Sequence, residues 1–237
     1  MRVSSLARLI GIVLPGLFFS VFAGLNANAV PITFEFTATV NSGVPADLTG
    51  TFSSGQLVSG SYTFESTAPD VDPGSAIFGT YENVSSYSFS IAAASYSGSA
   101  SPGTGTQSAR ITAGNGESGS DTYRVVAFEP VETVSGADVG GLSLISAILF
   151  MSDPTETAFS DDSLPLTPPS LGDFAVGEFI LGFSDGQTNA DLVSTLTSLR
   201  IRPTGVPEPG AFALLTVGLL GIGVARLCRR NRRSCSA

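Results

Sequence analysis

The 237-residue chain contains no lysine, no histidine and no tryptophan, and it has only two cysteines. Without histidine, Ser-His-Asp and Cys-His catalytic arrangements are excluded, and ordinary zinc sites go with them. Cys228 and Cys235 both lie near the C-terminus, so the middle of the chain has neither a disulfide nor thiol chemistry. A missing disulfide does not argue against export, because a core of this size stands without one. The absence of tryptophan removes the usual sugar-stacking platform. No phosphate-cradling glycine motif is present either, since the glycines are scattered among Ser and Thr rather than placed between a strand and a helix.

Positive charge is scarce and unevenly spread. Arg2 and Arg8 stand at the N-terminus and five arginines crowd the C-terminus, which leaves Arg110, Arg124, Arg200 and Arg202 between Val30 and Gly205. Every acid but Glu208 lies in that middle segment, so four arginines face nineteen carboxylates and its net charge is −15. Such a field repels phosphate backbones and excludes nucleic acid as a partner, while cations and basic polymers stay compatible. The same charge also serves solubility alone.

Both ends carry targeting patterns. Residues 1–29 read as a secretory signal: a short basic region, an apolar run from Leu9 to Ala23, and Asn26-Ala27-Asn28-Ala29. Ala27 and Ala29 form the small-residue cleavage site, so signal peptidase is expected to cut after Ala29 and leave Val30 as the new N-terminus. An uncleaved anchor is the competing reading, and the apolar run is short of the roughly 20 residues that a span prefers.

The C-terminus places three elements in order within residues 206–237. Val206-Pro207-Glu208-Pro209-Gly210 comes first, then an apolar stretch from Ala211 to Ala225, then Arg226, Arg229, Arg230, Arg232 and Arg233. A helix over 211–228 reaches about 27 Å at a rise of about 1.5 Å per residue, just enough to cross the hydrocarbon layer. The arginines of residues 226–237 then act as a basic stop-transfer segment that holds the terminus in the cytoplasm. Proline lacks an amide hydrogen and fixes φ, so Pro207 and Pro209 keep the motif extended and present Glu208 at the membrane interface. The alternative is that these prolines merely stop the domain before an ordinary tail anchor. Cysteines beside a membrane helix are acylated in some proteins, but Cys228 and Cys235 are read as incidental.

These residues together resemble the PEP-CTERM family of sorting signals: Pro207, Glu208 and Pro209, the helix from Ala211, and the arginines from Arg226 onward. The resemblance covers only the tail. It implies an exosortase, a polytopic membrane enzyme similar to a cysteine transpeptidase, as processing partner in a Gram-negative-type bacterium that makes exopolysaccharide. It further implies a transient inner-membrane anchor before processing, then release or attachment at the cell surface.

The segment 30–205 is about 175 residues, enough for one sizeable core. Phe34, Phe36, Ala38 and Val40 alternate with Thr33, Glu35, Thr37 and Thr39, the pattern of a half-buried strand. The same period recurs at Val58 to Phe64, Tyr87 to Ile91 and Phe179 to Phe183. Ala109 to Ala113, Tyr123 to Glu129 and Leu142 to Met151 are further strand candidates, the last apolar on both faces and therefore expected to be central. Residues 68–74 and Gly98 to Gly105 carry turn chemistry, and Asp153 to Leu171, with four prolines and an acidic pair, reads as a long surface loop. Asn189 to Leu199 fits either a helix or a strand. Many short strands with this punctuation predict an all-β fold, an antiparallel β-sandwich or jelly roll, flanked by the signal helix and the C-terminal transmembrane helix.

No cofactor is expected. Calcium is the one metal whose oxygen ligands the acidic loops could supply, with Asp70, Asp72, Asp161 and Asp162 as candidates. None of them fits the spaced ligand loop with its closing Glu, and turn formation explains them equally well. Asn83-Val84-Ser85 matches the N-glycosylation triplet and is assigned no role. The expectation is a non-catalytic exported surface or matrix protein, with exopolysaccharide association implied by the resemblance. The alternatives are a carboxylate-based glycoside hydrolase, for which no pair is singled out, and a permanently tail-anchored periplasmic protein.

Overall fold

The computed structural model describes residues 29–82, 84–100, 109–128 and 134–202. The signal segment, except Ala29, and the whole tail from 203 lie outside the described residues, so neither expected hydrophobic helix is among them. No helix within them is long and apolar enough to cross a membrane.

The strands are β1 (Pro31–Val40), β2 (Leu57–Glu65), β3 (Phe78–Glu82), β4 (Val84–Ile91), β5 (Tyr96–Ala100) and β6 (Arg110–Gly114), followed by β7 (Asp121–Phe128), β8 (Val134–Gly136), β9 (Ser143–Asp153), β10 (Val176–Ser184) and β11 (Asn189–Ile201). Three 3-10 turns are the helical elements among the described residues. All the strands belong to one sheet, in the order β3-β6-β7-β9-β10-β11-β1-β2-β4-β5-β8, and every pairing is antiparallel. The all-β expectation holds. In place of two separate sheets, the fold is a single sheet that curls on itself like a sandwich.

The curl follows from distances. β2 and β7 are five neighbours apart, roughly 24 Å along a flat sheet at about 4.8 Å per strand. Yet the Tyr62 and Tyr123 hydroxyls on those strands are 3.0 Å apart. Phe179 of β10 likewise meets Phe36 of β1 and Phe89 of β4, with ring centroids at 4.8 and 5.4 Å. Register shifts at Thr37/Ala38, Thr63/Phe64 and Gly182/Phe183 interrupt long pairings, and such bulges bend a strand and increase its twist.

The inward rows are those that alternation marks: Phe34, Phe36, Ala38 and Val40 in β1, Tyr87, Phe89 and Ile91 in β4, Phe179, Leu181 and Phe183 in β10, all buried. Gly60 belongs to this packing, because a Cβ there would collide with the Phe36 ring and lie 2.7 Å from the Ser88 carbonyl oxygen. Segments at either end of β10 close the core. Leu48 and Phe52 are buried, Phe52 standing 5.9 Å from Phe183 between ring centroids. On the other side, Phe159 and Phe174 pack edge to face at 5.7 Å, and Phe159 reaches Tyr123 at 6.5 Å. The long loop after Asp153 is therefore a plug with a 3-10 turn at Leu171–Asp173.

Asn189 to Leu199 is strand, since β11 pairs with β1 on one side and β10 on the other. Gly98 to Ala100, expected as loop, is the second half of β5. Gly98 is needed there because the Phe89 ring occupies the space a Cβ would take. β9 is interior to the sheet as expected, between β7 and β10.

Candidate functional site

Ala29 and Val30 are exposed and immediately precede β1. Val30 donates its amide to Ser66 Oγ at 3.1 Å and accepts from the Ser66 amide at 3.0 Å, so the residue expected to become the new N-terminus is paired at the end of β2. At the other end, Arg202 donates its amide to the Thr33 carbonyl at 2.8 Å, which brings the exit of the described chain beside its entry. Ala27, the motif Val206 to Gly210 and the basic residues Arg226, Arg229, Arg230, Arg232 and Arg233 lie outside the described residues.

Two of the four loop aspartates, Asp70 and Asp162, meet one tyrosine. Asp70 bridges to Tyr81 of β3, and its Oδ1 accepts from the Asp72 and Thr80 amides, each at 2.9 Å. The Tyr81 hydroxyl donates to the Asp162 carbonyl at 2.8 Å, while Asp161 accepts from the Ser163 hydroxyl and from its amide at 3.0 Å. Those bonds, the Ser163 hydroxyl foremost, hold the Asp161 carboxyl below its ordinary range. Burial, reinforced by the charges of Asp70 and Asp162, pushes the Tyr81 hydroxyl up. Asp70 and Asp161 thus both shape turns, and Asp72 is exposed. Among the described residues no group of three or more acidic, His or Cys side chains is placed to hold a metal.

Two other carboxylates, which the sequence reading passed over, are buried side by side. Asp121 and Asp153 are register partners on β7 and β9, 0% and 3% exposed. Asp121 accepts from the Gly116 and Phe159 amides, both at 2.8 Å. Asp153 accepts from the amides of Thr155, Thr157 and Ala158 at 2.8, 2.9 and 3.1 Å, and from both threonine hydroxyls. The Thr155 hydroxyl leads these donors in holding the Asp153 carboxyl far below the usual range. The pair ties down the start of the plug loop: both oxygens of each carboxylate are taken by donors of the chain. The spacing Asp153-x-Thr155-x-Thr157 is the one local sequence signal that could have revealed this turn.

The outward face of β1, β2, β4 and β5 is paved with small hydroxyls. Thr37, Ser59, Ser90 and Ser97 stand in one cross-strand row, and Glu35, Ser61, Ser88 and Ser99 in the next. Many are bonded across strands, as Thr33 is to Thr63 at 2.9 Å and Ser59 to Ser90 at 3.1 Å. A depression of about 380 Å³ lies over this pavement. At its rim Glu35 takes Arg202 at 2.5 Å and Arg200 at 3.3 Å, and Arg202 leads the groups that lower the Glu35 carboxyl. The alternation Ser86-Tyr87-Ser88-Phe89-Ser90 shows this face in the sequence once the aromatic side is known to be inward.

Residues 205–233 match the model of the PEP-CTERM protein-sorting motif. No curated protein and no solved structure matches the chain.

Proposed function

We propose that this is an exported, non-catalytic surface or matrix protein whose C-terminal segment is read and removed by an exosortase. The PEP-CTERM match over residues 205–233 carries this reading. The motif implies export and a transient C-terminal anchor in the inner membrane. Its proline-framed glutamate suits a recognition role, because a protease binds its substrate extended and Pro207 and Pro209 favour that backbone.

For the product left outside the cell, the hydroxyl pavement supports contact with exopolysaccharide. Serine and threonine hydroxyls both donate and accept, so a regular face of them exchanges hydrogen bonds with sugar hydroxyls without selecting a single sequence of sugars. A non-catalytic role accords with Asp121 and Asp153, whose oxygens are engaged by loop donors and act in folding.

The decisive experiment is fractionation of the producing cells with mass analysis of the mature C-terminus. The wild-type chain ends upstream of Arg226 and leaves the inner membrane, whereas Glu208→Gln and Pro207→Ala remain full length and membrane-bound. An unchanged terminus and unchanged release in both variants would refute recognition through this motif. A wild-type chain still ending at Ala237 would make it a permanent anchor.

A further inference from the structure

The outward face of the other half of the sheet differs from the pavement. Across the registers, Arg110 of β6 stands beside Val126 of β7, then Ile148 of β9, Ile180 of β10 and Val193 of β11. At about 4.8 Å per strand, this apolar track runs about 19 Å from the arginine. The adjoining row holds Thr112, Arg124 and Phe150, with the Arg124 guanidinium 5.4 Å from the Phe150 ring centroid. Phe78 and Thr80 of β3 border the resulting groove, whose volume is about 500 Å³.

Three features distinguish this groove from bare sheet. Ile148, Phe150 and Ile180 are left partly exposed on a sheet whose other outward half is hydroxylic. Two of the four arginines in a segment of charge −15 line it, and among the described residues no carboxylate does, Glu178 standing one strand beyond Phe150 in the adjoining row. Glu82 faces Arg110 in register without an ion pair among the described residues, and Glu117 approaches Arg124 only to 3.9 Å. Finally, Thr112 on the groove floor is 4% exposed, and its hydroxyl has no hydrogen-bond partner among the described residues.

We propose that this groove binds one long-chain fatty-acid anion, its carboxylate between Arg110 and Arg124 and its acyl chain along Val126, Ile148 and Ile180. The two guanidiniums supply the donors that a carboxylate needs, and the unpartnered Thr112 hydroxyl lies beside them. The track is one side chain wide on each strand, which suits a single methylene chain. Full burial of a methylene is worth about fourfold in affinity, so even partial burial makes binding depend steeply on chain length.

The test uses the full chain in phosphatidylcholine nanodiscs, with empty discs as the blank and carboxyl-labelled dodecanoate followed by NMR and equilibrium dialysis. The expected result is one saturable equivalent per chain above the blank, at least tenfold tighter than octanoate, with acetate and dodecan-1-ol failing to compete. Arg110→Gln and Arg124→Gln each weaken binding about tenfold, while Arg200→Gln, at the rim of the hydroxyl depression, leaves it unchanged. Blank-level uptake, equal competition by dodecan-1-ol, or indifference to both arginine variants overturns the proposal. So does sedimentation showing a dimer that Ile148→Ser dissociates and dodecanoate leaves intact, because a second copy is then the occupant. Should a variant fail to fold, the wild-type chain-length series decides: equal affinity for octanoate and dodecanoate overturns it.

Discussion

Replacing Tyr62 by phenylalanine removes one oxygen from the centre of the core and nothing else. Tyr62 and Tyr123 are both 0% exposed, and their hydroxyls bond to each other at 3.0 Å. Tyr62→Phe therefore deletes a hydrogen bond and strands the Tyr123 hydroxyl away from water, a change that costs about 1–3 kcal/mol. For a unit of this size that is a fall in melting temperature of roughly 2–12 °C, at about 2–4 °C per kcal/mol. Tyr123→Phe behaves alike. The double variant leaves no stranded hydroxyl and loses less than either single change, under about 1 kcal/mol. Tyr87 supplies the control, because it is equally buried and its hydroxyl has no partner among the described residues. Tyr87→Phe removes an unsatisfied group and raises stability. With tryptophan absent, urea and thermal unfolding are followed by far-UV circular dichroism. A cycle with coupling under about 0.5 kcal/mol, the usual limit for independent sites, would refute the argument, as would a Tyr87→Phe variant as damaged as Tyr62→Phe.

The same hydroxyls predict the response to alkali. The chain has five tyrosines, and burial is the leading cause that raises all five, Tyr96 to about 12. A folded pKa above the unfolded value near 10 means that their contribution is intact below pH 10 and is lost as pH climbs through the folded values. Absorbance at 295 nm should thus show little tyrosinate at pH 10 in the folded protein, then a rise coincident with unfolding. Two or more tyrosines titrating normally while the circular dichroism stays native would contradict this. At the acid end the sign reverses: the depressed Asp153 carboxyl stabilises the plug loop above its unfolded value near 4, and that support drains away as pH falls toward the folded value. Hydrogen exchange at Thr155, Thr157 and Ala158 should accelerate in acid before the sheet opens. In Asp153→Asn it should already be fast at neutral pH, and protection unchanged by that substitution would show that the carboxylate does not hold the loop.

Strands with one fully buried face were legible from alternation, because a register slip would expose a whole row of aromatics. That is why Phe34 to Val40, Tyr87 to Ile91 and Phe179 to Phe183 could be read directly. β3 and β8 were not, being short strands at the two edges of the sheet with little apolar pattern of their own. β5 was obscured by Gly98, whose presence answers to the Phe89 ring on the neighbouring strand and resembles loop chemistry in isolation. Asn189 to Leu199 stayed ambiguous until its partners were known, since Val, Thr and Ser suit a strand only where neighbours take their backbone bonds.

Local order along the chain by itself determined the C-terminal sorting motif, the acidic middle and the strand period, because proline-framed motifs, net charge and alternation are all written in nearby residues. Tertiary structure alone decided that one sheet curls until Tyr62 meets Tyr123, that Asp70 and Asp162 share Tyr81, and that Asp121 and Asp153 moor the plug. It also separated a hydroxyl face from an arginine-edged apolar groove. The physical reason is sequence distance: these pairings join residues far apart in the chain, and only closure of the sheet brings them within reach.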